Sequence, residues 1–231
     1  MSVPAGLPAH AVSARSVVYL HGFASSPRSA KARFVGERAA AAGLPFLCPD
    51  LNAPDFRSLT VSRMIEQANA AVDALPDPVA LVGSSLGAFV AVHAAAGRNS
   101  AARPRVDRMV LMAPAFDLAP SLEEEFGPDR MREWETSDRL DVFHYGENAT
   151  RALGWGFMAD ARRYDAFAVP LQTPTLIYQG TADEVVSPDQ VRRWASSRPW
   201  VILRLVDDGH QLLGHLEAMW ADIAQFLGAE A

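Results

Sequence analysis

Val79-Ala-Leu-Val-Gly-Ser-Ser-Leu-Gly87 is the stretch on which the reading of this chain turns. An apolar run, Val79 to Val82, leads into Gly-x-Ser-x-Gly. Ala88-Phe-Val-Ala-Val-His-Ala-Ala-Ala96 follows at once with the pattern of a buried helix. Strand, sharp turn and helix in that order put Ser85 at the tip of the turn with its hydroxyl presented outward. The flanking glycines suit a turn where side chains would clash, and glycine tolerates backbone angles that other residues avoid. Ser85 is therefore a candidate nucleophile toward a carbonyl carbon.

Working outward, Ser16-Val-Val-Tyr-Leu20 reads as a strand running into His21-Gly22. Pro27 to Ala42 suits a helix stopped by Gly43 and Pro45, and Pro45 to Pro49 a second short strand. Thr60 to Leu75 is a helix with Thr60 as its cap and Pro76 as its stop. Arg108 to Ala113, Thr175 to Tyr178 and Val201 to Val206 are further strands, and the last helix spans roughly Leu213 to Leu227. Strands alternating with helices argue for an α/β fold, an open and mostly parallel sheet with helices on both faces. Residues 116–168 break the rhythm. They are acidic and aromatic, show no clear strand, and are too many for a loop, so they read as two or three helices forming a cap. Residues 1–231 together read as one domain carrying that insertion.

The composition narrows the function classes. With a net charge of −6 and no basic block, a nucleic-acid partner is not expected, because phosphate binding needs clustered Lys and Arg. Cys48 is the single cysteine, which leaves no intrachain disulfide and no cysteine-based zinc site; it reads as a small apolar residue closing a strand. The first ten residues lack the charged and apolar regions of a signal peptide. No run reaches the ~18 apolar residues of a membrane span, so the expected location is the cytoplasm. The histidines show no metal-ligand spacing, and no Gly-x-Gly-x-x-Gly follows the first strand, so neither a metal nor a nucleotide cofactor is expected.

A serine hydroxyl needs a base to take its proton, and the base needs a carboxylate to hold its tautomer. After Ser85 both slots can be filled in the order serine, acid, histidine. Asp183 follows the strand Thr175–Tyr178 beyond a glycine turn, where open α/β sheets collect their site residues. Glu184 is its rival. His210 follows Val201–Val206 in Asp207-Asp208-Gly209-His210, with His215 as its rival. His93 reads as a core or surface residue on the helix after the serine, and His10 and His144 have no evident partner. The oxyanion that forms in acyl transfer needs two N–H donors. Leu86, just after the nucleophile, supplies one at a helix start. The Phe23 N–H, in the loop His21-Gly22-Phe23, supplies the other. His21 and Gly22 belong to the substrate-binding loop, with the His21 ring bracing its backbone. Arg28 and Lys31 come next; they read as helix-surface charges, or else as binders of an anionic leaving group.

At this point the chain resembles the α/β-hydrolase superfamily through His21-Gly22, the Gly83 to Gly87 turn, Asp183 and Gly209-His210, in that order. Tyr19-Leu-His-Gly-Phe-Ala-Ser-Ser-Pro-Arg-Ser-Ala-Lys31 with Cys48-Pro-Asp-Leu51 is similar to small bacterial esterases of the YqiA type. It is similar more loosely to the acyl-protein thioesterase-like hydrolases. The resemblance implies cleavage of a small carboxylic ester or thioester through an acyl-enzyme, without cofactor. Carbon–carbon bond hydrolases, amidases and acyltransferases use the same triad. A binding protein that kept the fold and lost catalysis is the reading from a different class. Of the aromatic residues in 116–168, Trp155 and Phe157 are the candidates to line the substrate pocket.

Overall fold

The computed structural model describes residues 15–98 and 105–229; the leader and His10 lie outside them. Six strands form the main sheet: β1 Ser16–Leu20, β2 Phe46–Leu47, β3 Val79–Ser84, β4 Val106–Met112, β7 Thr175–Gly180 and β8 Val201–Val206. All neighbours pair in parallel, in the order β2-β1-β3-β4-β7-β8.

Successive side chains of a strand point to opposite faces, and each face here meets its own apolar layer. Val18, Leu20, Leu81, Leu111 and Ile177 face one layer with α2 (Val61–Asp73) and α3 (Leu86–Arg98). Val17, Tyr19, Val82, Val110 and Tyr178 face the other, with α1 (Ala30–Ala41) and α7 (Leu216–Leu227). This double covering is why the inner strands read as unbroken apolar runs. α3 is apolar around its whole girth because the sheet, α2 and the 113–171 segment enclose it.

Several boundaries differ from the sequence expectation for local reasons. α1 begins at Ala30, not Pro27, because the Ser29 hydroxyl caps it by accepting from Ala32 N at 3.3 Å. Thr60 does cap α2, accepting from Arg63 N at 3.2 Å. The last helix starts at Leu216, after a 3₁₀ turn over Leu213–His215. The helix α6, Pro188–Ser196, was not anticipated, although Ser187-Pro188-Asp189 is a helix-start pattern.

The region expected to be purely helical needs correction. It holds α4 (Leu118–Ser137), broken at Gly127 (φ 68°) and Pro128, and the short α5 (Gly156–Ala161). Between them lies an antiparallel hairpin, β5 Leu140–His144 and β6 Ala149–Leu153. Its strands are five residues each, too short to show a period among charged neighbours.

The chain goes outward from β1 to the edge strand β2, then returns past β1 to β3 and continues the other way. The loops after β1 and β3 therefore diverge to opposite faces and leave a crevice at the C-terminal edge of the sheet. That crevice is where the site lies.

Candidate active site

Ser85 sits between β3 and α3 with φ 54°, a left-handed conformation that non-glycine residues rarely adopt. It is held there by its own backbone: Ser85 N donates to Met112 O at 2.9 Å, and Ser85 O accepts from Ala88 N at 3.0 Å. Of the two reasons expected for the flanking glycines, the clash of side chains holds and the unusual backbone angle does not, since neither has a positive φ. They are needed for space. A Cβ on Gly87 would lie 2.0 Å from Leu20 O, and one on Gly83 would lie 2.6 Å from Gly87 O. The turn is tight because β1, β3 and α3 meet backbone to backbone.

Asp183 leaves the end of β7 and His210 the loop after β8. His210 Nδ1 lies 2.9 Å from Asp183 Oδ2 and 3.1 Å from Oδ1. Two features join these loops. Ala182 N donates to Asp208 O at 3.1 Å, and Gly180 has no room for a Cβ, which would fall 2.3 Å from that same oxygen. Asp183 also accepts from Val185 N (2.9 Å), Val186 N (2.8 Å) and the Gln179 amide (2.9 Å). Burial pushes its carboxyl pKa upward. Hydrogen bonds from His210, Val186 N and Gln179, with the nearby His210 charge, outweigh this and hold it below the ordinary value. The acid is thus ionised, with its lone pairs occupied. No hydrogen bond joins Ser85 Oγ to His210 Nε2 among the described residues.

The rivals separate cleanly. Glu184 is exposed and points away from this cluster, while His215 Nδ1 is taken by Asp208 at 3.0 Å. His93 lies against Phe89 and Tyr164, and His144 is buried against Phe56; neither reaches the Asp183 pair.

The loop after β1 packs on the serine turn, where a Cβ on Gly22 would lie 3.4 Å from Ser85 Cβ. The His21 ring is 1% exposed and fully engaged. Leu51 N donates to Nε2 at 3.0 Å, so the other nitrogen, Nδ1, carries the hydrogen and donates to Gly22 O at 2.9 Å. Both ring nitrogens are thus spent on backbone groups, the bracing role expected of the His21 ring. Fixing Gly22 C=O also fixes the Phe23 N–H, which belongs to the same peptide plane and points the opposite way. Neither Phe23 N nor Leu86 N donates to a protein acceptor among the described residues.

Phe157 is 1% exposed, and its ring lies 5.5 Å from the Phe23 ring, so the insert reaches this loop. Trp155 turns instead to Trp134, at 5.3 Å, and to Arg162. The hairpin touches the same loop at its tip, where Gly146 N donates to Ala24 O at 3.3 Å.

Residues 16–228 match an uncharacterised protein family, UPF0227. The chain belongs to this family. Its fold is that of the α/β-hydrolase superfamily, and solved structures of that kind superpose on it closely. A protein from Agrobacterium vitis shares 26% identity over 93% of this chain and 88% of its own, with a TM-score of 0.81. Mouse alpha/beta hydrolase domain-containing protein 10 matches at 20% identity and a TM-score of 0.77 over 92% and 88% of the two chains. Est1E of Butyrivibrio proteoclasticus, solved with ferulic acid bound, gives the same identity, TM-score and coverage.

Two residues stand out that the sequence reading passed over or misplaced. Gln179 is wholly buried at the end of β7, and its only visible signal is a polar residue inside an apolar strand. Lys31, expected on a helix surface, is 7% exposed and sits in the first turn of α1.

Proposed function

We propose that this protein is a serine hydrolase that cleaves a small carboxylic ester or thioester through an acyl-enzyme on Ser85. The observation that carries the proposal is the ionised Asp183 holding His210 Nδ1 at 2.9 Å, from two loops beside a serine on a left-handed turn. In this reading His210 Nε2 takes the Ser85 proton as the oxygen attacks, then gives it to the departing alcohol or thiol. Asp183 keeps the Nδ1–H tautomer and balances the imidazolium charge. The Phe23 and Leu86 N–H groups receive the oxyanion, with the α3 dipole behind Leu86. Water then attacks the acyl-Ser85 ester by the same route in reverse. No step calls for a cofactor.

The likeness to Est1E, solved with ferulic acid bound, supports a small carboxylic substrate. Residues 116–168 serve as a cap on a single-domain chain. Phe157 packs behind Phe23 and so backs the acyl side of the pocket, whereas Trp155 serves to pack the cap.

The test is hydrolysis of p-nitrophenyl esters from acetate to palmitate by wild type and by Ser85→Ala. Turnover should fall by ~10³-fold or more in Ser85→Ala with the thermal midpoint kept. Asp183→Asn should cost nearly as much, because it favours the wrong tautomer of His210. A wild-type-like Asp183→Asn alongside an inactive Glu184→Gln would transfer the acid role to Glu184. Equal rates in wild type and Ser85→Ala would end the serine mechanism.

A further inference from the structure

The strands that lead to Asp183 and His210 begin at a second cleft, at the end of the sheet opposite Ser85. It is lined by Val169, Leu171 and Gln172 from the segment before β7, and by Ser197, Arg198 and Trp200 from the turn between α6 and β8. Thr175 N donates to Trp200 O at 3.1 Å and ties the two segments together. A six-residue strand rises about 20 Å, so this cleft is remote from the crevice and shares no residue with it. Its volume is about 220 Å³, small beside the ~300–1,000 Å³ of pockets for drug-sized ligands.

Two donors at this cleft lack the partners that burial calls for. Arg198 is 8% exposed, and its guanidinium lies 4.2 Å over the Trp194 ring. Nη1 donates to Trp194 O at 2.8 Å and to Ser197 Oγ at 2.9 Å, and Nη2 donates to Phe167 O at 2.9 Å. These acceptors hold the group still, and all are neutral. Among the described residues Arg198 makes no ion pair within 4 Å, and its Nε–H makes no hydrogen bond. Asp165, the carboxylate whose charge reaches it, spends Oδ1 on Phe167 N and Ala168 N. A buried cation is ordinarily paired. The Trp200 ring lines the cleft as well, and its Nε1–H is buried without an acceptor. A buried donor left unpaired is uncommon and costly. No acidic residue lines the cleft, although the chain carries a net charge of −6.

We infer that this cleft binds a small organic monocarboxylate. The carboxylate sits between the Arg198 guanidinium and the Trp200 N–H, and the apolar body lies against Val169, Leu171 and the indole ring. A carboxylate supplies the charge that Arg198 lacks and an acceptor for the indole. One guanidinium, with no second cation lining the cleft, suits a single negative charge better than a phosphate dianion. This site stands apart from the chemistry of Ser85.

The probe is benzoate, titrated into the isotope-labelled full chain with the five indole N–H signals as the readout. Trp200→Phe removes one of the five and so assigns it, and it keeps the carbonyl that Thr175 N uses. The Trp200 signal should move downfield and saturate as its proton gains a charged acceptor. Benzamide, of similar shape without the charge, should need about tenfold or more higher concentration for the same shift. Arg198→Met should weaken the benzoate titration of the Trp200 signal by about tenfold or more. A Trp200 signal unmoved at ~20 mM benzoate would overturn the inference, including the case where other signals shift because benzoate binds at the crevice. Equal responses to benzoate and benzamide would overturn it too, since the cation would then play no part. So would an unchanged titration in Arg198→Met. Should that variant fail to fold, the comparison of benzoate with benzamide in wild type decides.

Discussion

Gln179 separates holding a site from holding a fold. Its Nε2 donates to Asp183 Oδ2 at 2.9 Å and to Val186 O at 3.2 Å, while its Oε1 is buried without a partner. The reverse amide orientation would set oxygen against the carboxylate, so the geometry assigns the flip. A buried acceptor left unpaired costs about 1–3 kcal/mol. Gln179→Leu should therefore leave the thermal midpoint near wild type or raise it. It should lower kcat by roughly tenfold, with KM little changed, because the Asp183 carboxylate loses one of its orienting donors. Parallel loss of midpoint and kcat would make Gln179 a packing residue only. The legibility of the site follows the same division. Ser85, Asp183 and His210 were visible because each follows an apolar run and a glycine. Gln179 and Lys31 were not, because a polar residue in a strand or an amphipathic helix reveals its neighbours only after folding.

At the scale of elements, the hairpin β5–β6 acts on the loop that carries the Phe23 N–H. A Cβ on Gly146 would lie 2.7 Å from Ser26 Cβ and 3.1 Å from Ser25 C, so the tip fits only without a side chain. Gly146→Val should push Ser25 and Ser26 away, and with them the Phe23 peptide that His21 fixes. The expected result is a fall in kcat of about ten- to a hundredfold, the order seen when one oxyanion donor is lost or misaimed. The hairpin lies outside the main sheet, so the midpoint should move by only a few degrees. A variant with unchanged kcat would show that the tip and the Phe23 peptide move independently. This hairpin was the least legible element. The sheet strands are read from burial on both faces, whereas β5 and β6 have the mixed exposure of a small two-stranded ribbon. Their pairing depends on the turn at Tyr145 to Asn148, not on a hydrophobic run.

For the whole molecule, acid should loosen the insert from the sheet layer before the sheet itself gives way. His93 on α3 lies 5.1 Å from the Tyr164 ring and 4.6 Å from Phe89, with Nε2 buried and unpartnered. Tyr164 in turn meets Ser62 Oγ at 2.7 Å, and Ser62 also binds Asp160, so this cluster ties α5 to α2 and α3. Burial holds the His93 pKa down to about 4, with Asp165 pulling weakly upward. A folded value below the unfolded one means that the unfolded chain binds the proton more tightly. The stabilisation is complete above pH ~6.5 and is lost as pH falls toward 4, to a total of about 3 kcal/mol. His144, also shifted down by burial, adds to the slope in the same direction. His93→Phe removes one contribution and keeps the ring contacts. Urea unfolding at pH 7 and pH 4.5 should therefore show a smaller acid loss in His93→Phe than in wild type, by about 2 kcal/mol. Equal losses in the two proteins would mean that His93 titrates normally. The loss shared by the two proteins in this window would then belong to His144, because Asp183 and Asp208, with lowered values, lose their stabilisation only below the ordinary carboxylate range.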